Sequence, residues 1–134
     1  MKKLLISSAI IFCLLALPLG CVAQPRVLTV DEASQLVRAA LPAPTLSLPK
    51  FSLDKYENPD FPGLYLFEAD WDNPTGSVVW GQFAVDPKTG DVWDAIVCRE
   101  YKSNSLKTAQ ALMRARIGLT KKDYRKTRRR RPLC

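Results

Sequence analysis

Glu68, Asp70 and Asp72 recur at every second position, and Asp94 falls in a later β-rich run. On extended strands that spacing places the first three carboxylates on one sheet face, with Asp94 on a neighbouring strand. Paired carboxylates perform acid/base hydrolysis when burial splits their pKa values. A wet sheet face of alternating polar residues accounts for the same spacing without any chemistry. The 134-residue chain contains no histidine, so Ser-His and Cys-His nucleophile pairs and the usual zinc sets are excluded. Glycine motifs that cradle phosphates or dinucleotides are absent from the sequence too. The residues thus ask for no catalytic group, no metal and no cofactor.

Binding is the better-supported chemistry. Trp80 and Trp93 each lie in a β-rich run beside a turn. Facing away from the helices, they form an aromatic patch beside Glu68 and Asp70, and exposed tryptophans next to charge are favoured anchors of protein interfaces. Tryptophan is also mostly buried on average. One of the pair is therefore expected in the core, and the other is left open.

The net charge of +7 is divided along the chain. Residues 24–100 carry 6 Lys/Arg against 12 Asp/Glu, a net −6, whereas residues 101–134 carry 12 Lys/Arg against Asp123 alone, a net +11. Lys121, Lys122, Arg125, Lys126, Arg128, Arg129, Arg130 and Arg131 concentrate that charge. Such a run binds polyanions, whether anionic lipid, cell-wall polymer or nucleic acid. The competing reading is a solvated tail, or one folded back on the acidic sheet.

The N-terminus decides among polyanions. Lys2 and Lys3 precede an apolar stretch from Leu4 to Leu17, and Pro18 ends it before a small-residue segment. That order is an export signal, with a core too short for a comfortable membrane span. Cys21-Val22-Ala23 places small residues for cleavage before Gln24, while Leu19-Gly20-Cys21 is the alternative, a lipoprotein box acylated on Cys21. An exported chain meets lipid head groups and wall polymers, so nucleic acid is disfavoured. Either processing route leaves Cys98 and Cys134 in an oxidising compartment, where a pair is expected to bridge. A loop of that length is worth about 4 kcal/mol on the chain-entropy account.

Residues 1–23 are thus read as signal, 24–120 as one domain and 121–134 as a basic C-terminal segment. Thr29 and Glu32 form a capping box before Ala33, Leu36, Val37, Ala40 and Leu41 at helical spacing. Pro42 and Pro44 stop that helix, and 42–50 reads as a connector. Phe51–Tyr56, Leu64–Trp71, Ser77–Val85 and Asp91–Cys98 read as strands separated by Pro/Gly turns. Ser103 or Ser105 caps a helix striped by Leu106, Ala109, Leu112, Met113 and Ile117, closed by Gly118. Thr120–Arg131 continues as a short basic helix or an extended arm. The fold class is α+β: an antiparallel meander of three to four strands with N- and C-terminal helices packed on one face.

Leu28-Thr29-Val30-Asp31-Glu32-Ala33-Ser34-Gln35-Leu36 resembles the opening helix of PepSY-type domains. Phe83-Ala84-Val85-Asp86-Pro87-Lys88-Thr89-Gly90-Asp91-Val92-Trp93 resembles their closing hairpin. The order of elements matches over roughly residues 27–97, and the C-terminal helix and basic segment lie outside it. The proline-rich connector and the three tryptophans depart from the pattern. The resemblance implies an extracytoplasmic, non-catalytic module, in some members one that restrains peptidases or acts beside envelope machinery, and it carries over no catalytic residue. The expectation is an exported binding module of the periplasm or exterior, of inhibitor or immunity type, with an envelope or extracellular protein as partner. An anionic surface is the alternative partner.

Overall fold

The computed structural model describes residues 27–76 and 78–129. The expected signal segment, Cys21, Arg130, Arg131 and Cys134 lie outside them. The capping box forms: Glu32 N–H donates to Thr29 Oγ1 at 3.3 Å, and Thr29 N–H donates to the Glu32 carboxylate at 2.8 Å. Two orphan donors of helix α1 (Val30–Ala40) are thereby satisfied reciprocally. Ala33, Leu36, Val37 and Ala40 are its buried face. Beyond Pro42 the expected connector coils into one short helix, α2 (Ala43–Leu46), with Pro44 in its first turn, where a missing N–H leaves no bond unmade.

Five strands follow: β1 (Ser52–Tyr56), β2 (Tyr65–Asp70), β3 (Val79–Val85), β4 (Val92–Asp94) and β5 (Arg99–Glu100). They form one antiparallel sheet in chain order, the meander expected, with one strand more. The extra strand arises because Asp91–Cys98 is not one run. Asp94 Oδ1 accepts the N–H groups of Ile96 and Val97 at 2.9 and 3.0 Å. This carboxylate turn stops β4. Cys98 then takes a positive φ of 53° and the chain returns as β5.

Helix α3 (Asn104–Arg116) starts at Ser103, whose hydroxyl accepts the Leu106 N–H at 3.2 Å. Ser103 and Ser105 also donate to the Ala39 carbonyl at 3.2 and 2.8 Å, which ties the start of α3 to the end of α1. Leu106 and Ile117 join Phe67, Phe83, Val85, Val92 and the α1 stripe in one core. Leu112 departs from the expected stripe and is 69% exposed, while Gln110 is buried in its stead. Gln110 is buried because its amide donates to the Gly90 carbonyl at 2.8 Å. Gly118, at φ 67°, closes α3: its N–H reaches Ala115 O and the next, Leu119 N–H, reaches Arg114 O at 2.9 Å. The last helix, α4 (Lys121–Arg129), settles the choice between helix and arm.

The β3–β4 turn receives all of this packing. Gly90 sits there at φ 69°, and a Cβ on it would stand 3.2 Å from Leu36 Cδ1. Gly90→Ala combines left-handed strain with a clash against α1, and is expected to destabilise by about 1–3 kcal/mol. Urea unfolding measures this, and an unchanged midpoint contradicts it.

Candidate functional site

The exposed apolar residues gather at one end of the sheet. Val78, Val79 and Trp80 open β3 with exposures of 54, 37 and 37%, and Ile96 and Val97 follow β4 at 66 and 60%. Ala95 N–H donates to the Gln82 carbonyl at 2.9 Å, which lays the 95–98 turn alongside the start of β3. Trp80 stacks on Phe83 with centroids 6.1 Å apart and an interplanar angle of 13°. Phe83 meets Tyr101 in turn at 5.7 Å. An aromatic seated on core rings is a pre-ordered anchor, which binds without losing side-chain freedom.

Acidic groups flank this end. Asp70 pairs with Val79 across an irregularity in the β2–β3 ladder, and Glu68 pairs with Gln82. Gln82 donates to Glu68 at 2.7 Å. Asp70 Oδ1 is buried without a hydrogen bond. Burial, then the charges of Glu68 and Asp54, pushes the Asp70 carboxyl up.

The larger carboxylate row drawn from the spacing does not form. Asp72 lies beyond β2 and pairs with Lys50 at 3.0 Å, and Asp94 is occupied by its own turn. Trp93 also departs from the interface expectation: it is 9% exposed, paired with Ala84 and Glu100. Of the expected interface residues, Asp70 lies across the ladder from Val79, the neighbour of Trp80, while Glu68 lies further along, across from Gln82. Val78, Val79, Ile96 and Val97 were not singled out from the sequence, although their solvent exposure follows from lying beside turns.

At the opposite end of β3 a polar knot binds the basic segment. Asp91 is 1% exposed. Its Oδ1 accepts from Arg114 Nη2 at 2.7 Å and from the Tyr124 hydroxyl at 2.9 Å. Arg114 Nε also donates to the Thr89 carbonyl at 2.6 Å, and its guanidinium lies 4.1 Å from the Tyr124 ring centre. Arg128 stands 4.0 Å from Asp91 Oδ2 and donates to Glu100 at 2.6 Å. Burial pushes the Asp91 carboxyl up, and Tyr124, Arg114, Thr89 and Arg128 draw it partly back.

Within α4, Tyr124 therefore turns inward and Arg128 reaches back to Glu100 while staying exposed, and Lys121, Lys122, Arg125 and Lys126 are exposed as well. The basic segment is neither wholly a tail nor wholly a binding surface. Arg129 ends the helix, and Arg130 and Arg131 lie outside the described residues. Tyr124 was missed as an anchor, and its signal was present as the one aromatic in an otherwise charged helix. Cys98 is among the described residues and Cys134 is not, so the expected bridge between them lies outside what the structure describes. Among the described residues no helix is long and apolar enough to cross a membrane, and no three possible ligands gather to hold a metal.

No protein-family model matches the chain, and no curated protein matches it. Among solved structures the chain is similar to one in the structure of a type VI secretion system effector-immunity complex from Pseudomonas protegens. The two share 28% identity with a TM-score of 0.61, over 77% of this chain and 88% of that one.

Because burial raises Asp91, the folded protein holds the Asp91 proton more tightly than the unfolded chain does. The stability tied to that proton is complete below the unfolded pKa and lost as pH rises through the folded one. Near neutral pH, Asp91→Asn is expected to lose no more than about 1 kcal/mol. Asp91→Ala, which strands Arg114 and Tyr124, loses about 3 kcal/mol. In urea titrations the wild type gains on Asp91→Asn as the pH falls into the acid range, and a constant or opposite gap contradicts this assignment.

Proposed function

We propose that this chain is an exported, non-catalytic protein-binding module of immunity type, whose partner docks on the sheet end carrying Trp80. The observation that carries the reading is the pre-ordered patch of Val78, Val79, Trp80, Ile96 and Val97 in a fold similar to a chain of an effector-immunity complex. Export rests on the N-terminal charge, apolar run and cleavage segment. A bridge between Cys98 and Cys134 closes the domain in this reading, as two thiols in an oxidising compartment would. The PepSY resemblance adds a non-catalytic, extracytoplasmic precedent for the helix and the Thr-Gly hairpin.

The chemistry of the site describes the partner surface. An apolar hollow takes Trp80 and the valines, and basic groups around it meet Glu68 and Asp70. The central tryptophan dominates the binding energy, with the rest excluding water.

Immunity makes a cellular prediction. A host strain lacking this chain is expected to be killed by its own parent in contact co-culture, and to survive when the full chain is restored. Ile96→Asp with Val97→Asp, at two exposed positions, should abolish that rescue while leaving the thermal midpoint within a few degrees. With the isolated partner, Trp80→Ala is expected to weaken binding about thirtyfold. Equal survival of the deletion strain and its parent overturns the immunity reading.

A further inference from the structure

The two ends of β3 differ in kind. Seven residues at a rise of about 3.3 Å separate the apolar end at Val79 from the turn that holds α4. At that far end Lys121, Lys122, Arg125 and Lys126 are exposed. At 100° per residue these four occupy an arc of about 140° on one side of α4. None of the four has an acidic partner among the described residues, in contrast to Arg114, Arg116 and Arg128. Exposed Lys88, at the tip of the β3–β4 turn, shares a cleft with Asp123 and Thr127 of α4 and adds a cation to the same end.

We infer that the outer face of α4 is a docking surface for anionic phospholipid head groups, which holds the protein on a membrane with its Trp80 end directed away. Three observations select lipid. The outer arc is cationic without an aromatic, because Tyr124 is turned inward on Asp91. It therefore lacks the stacking platform that single-stranded nucleic acid uses. The arc lies along a short rigid helix held at Tyr124 and Arg128, so several charges meet a flat anionic surface together. The acidic remainder of the domain is repelled by the same surface, which leaves one orientation. This inference does not depend on the identity of the protein partner, since it uses the other end of the sheet.

The test is co-sedimentation of the processed chain, residues 24–134, with vesicles of phosphatidylcholine alone or with one third phosphatidylglycerol, at low and high salt. The chain is expected on the anionic vesicles only, and salt should release it. Lys121→Glu, Lys122→Glu, Arg125→Glu and Lys126→Glu together should lower the partition at least a hundredfold, at about a fivefold loss for each cation removed. These four side chains are exposed, so the same variant should keep its unfolding midpoint and its binding through Trp80. Lack of binding to anionic vesicles overturns the inference. So does tighter binding to duplex DNA or a soluble wall polymer at matched charge, or salt-sensitive association of the chain with itself without vesicles.

Discussion

The carboxylate of Asp91 is where the two halves of the chain are joined. It follows the β3–β4 turn and accepts from one residue of α3 and one of α4. Removing this carboxylate from water is unfavourable, and the raised pKa records that burial outweighs the attraction of Arg114 and Arg128. The knot is thus a weak source of stability taken alone. Its consequence is geometric. Arg114 bridges Thr89 and Asp91 in a fixed fork, and the Tyr124 ring lies on that fork at 4.1 Å. Rotating α4 about its axis breaks both contacts, so the knot fixes which side of the helix faces outward.

Position, more than pattern, decided what could be read in the sequence. Local signals fixed local structure: the Thr29–Glu32 box, the Ser103 cap and the Gly118 stop appear where the residue types put them, because each bond closes within five residues. The first three turns of the meander follow for the same reason, since each carries its own proline or glycine, whereas the β4–β5 turn has neither and is made by the Asp94 carboxylate. Alternation misled where a side chain had a local use of its own. Asp94 continues the period of β4, yet its oxygen serves the Ile96 and Val97 N–H groups and ends the strand. Leu112 fits the apolar stripe by spacing and is exposed, because Gln110 and Arg114 are drawn to carbonyls of the distant turn. Contacts across 20 or more residues leave no periodic trace.

The site was legible in part on the same grounds. Trp80 came from residue type, and Glu68 and Asp70 from their spacing along the strand. Which tryptophan is exposed depends on pairing: Trp93 lies mid-sheet between β3 and β5, while Trp80 lies where the ladder becomes irregular beside Asp70. The basic run was visible as charge, but its division into docking residues and outward residues depends on one tyrosine finding a buried acid.

The Asp-Pro-x-Thr-Gly turn between β3 and β4 is closed to a ligand. Asp86, Thr89 and Asp91 in the Asp-Pro-x-Thr-Gly turn are each 1% exposed or less. Asp86 Oδ1 takes the Lys88 N–H, Thr89 Oγ1 takes the Asp91 N–H, and the Pro87 carbonyl takes Leu28 N–H at 2.7 Å. These groups are used in making the hairpin and in receiving the N-terminus, α3 and α4. A motif consumed by its own scaffold carries fold and not specificity. The surfaces left open lie at the two ends: the apolar patch beside an irregular ladder and an aspartate turn, and the cationic face set by the knot.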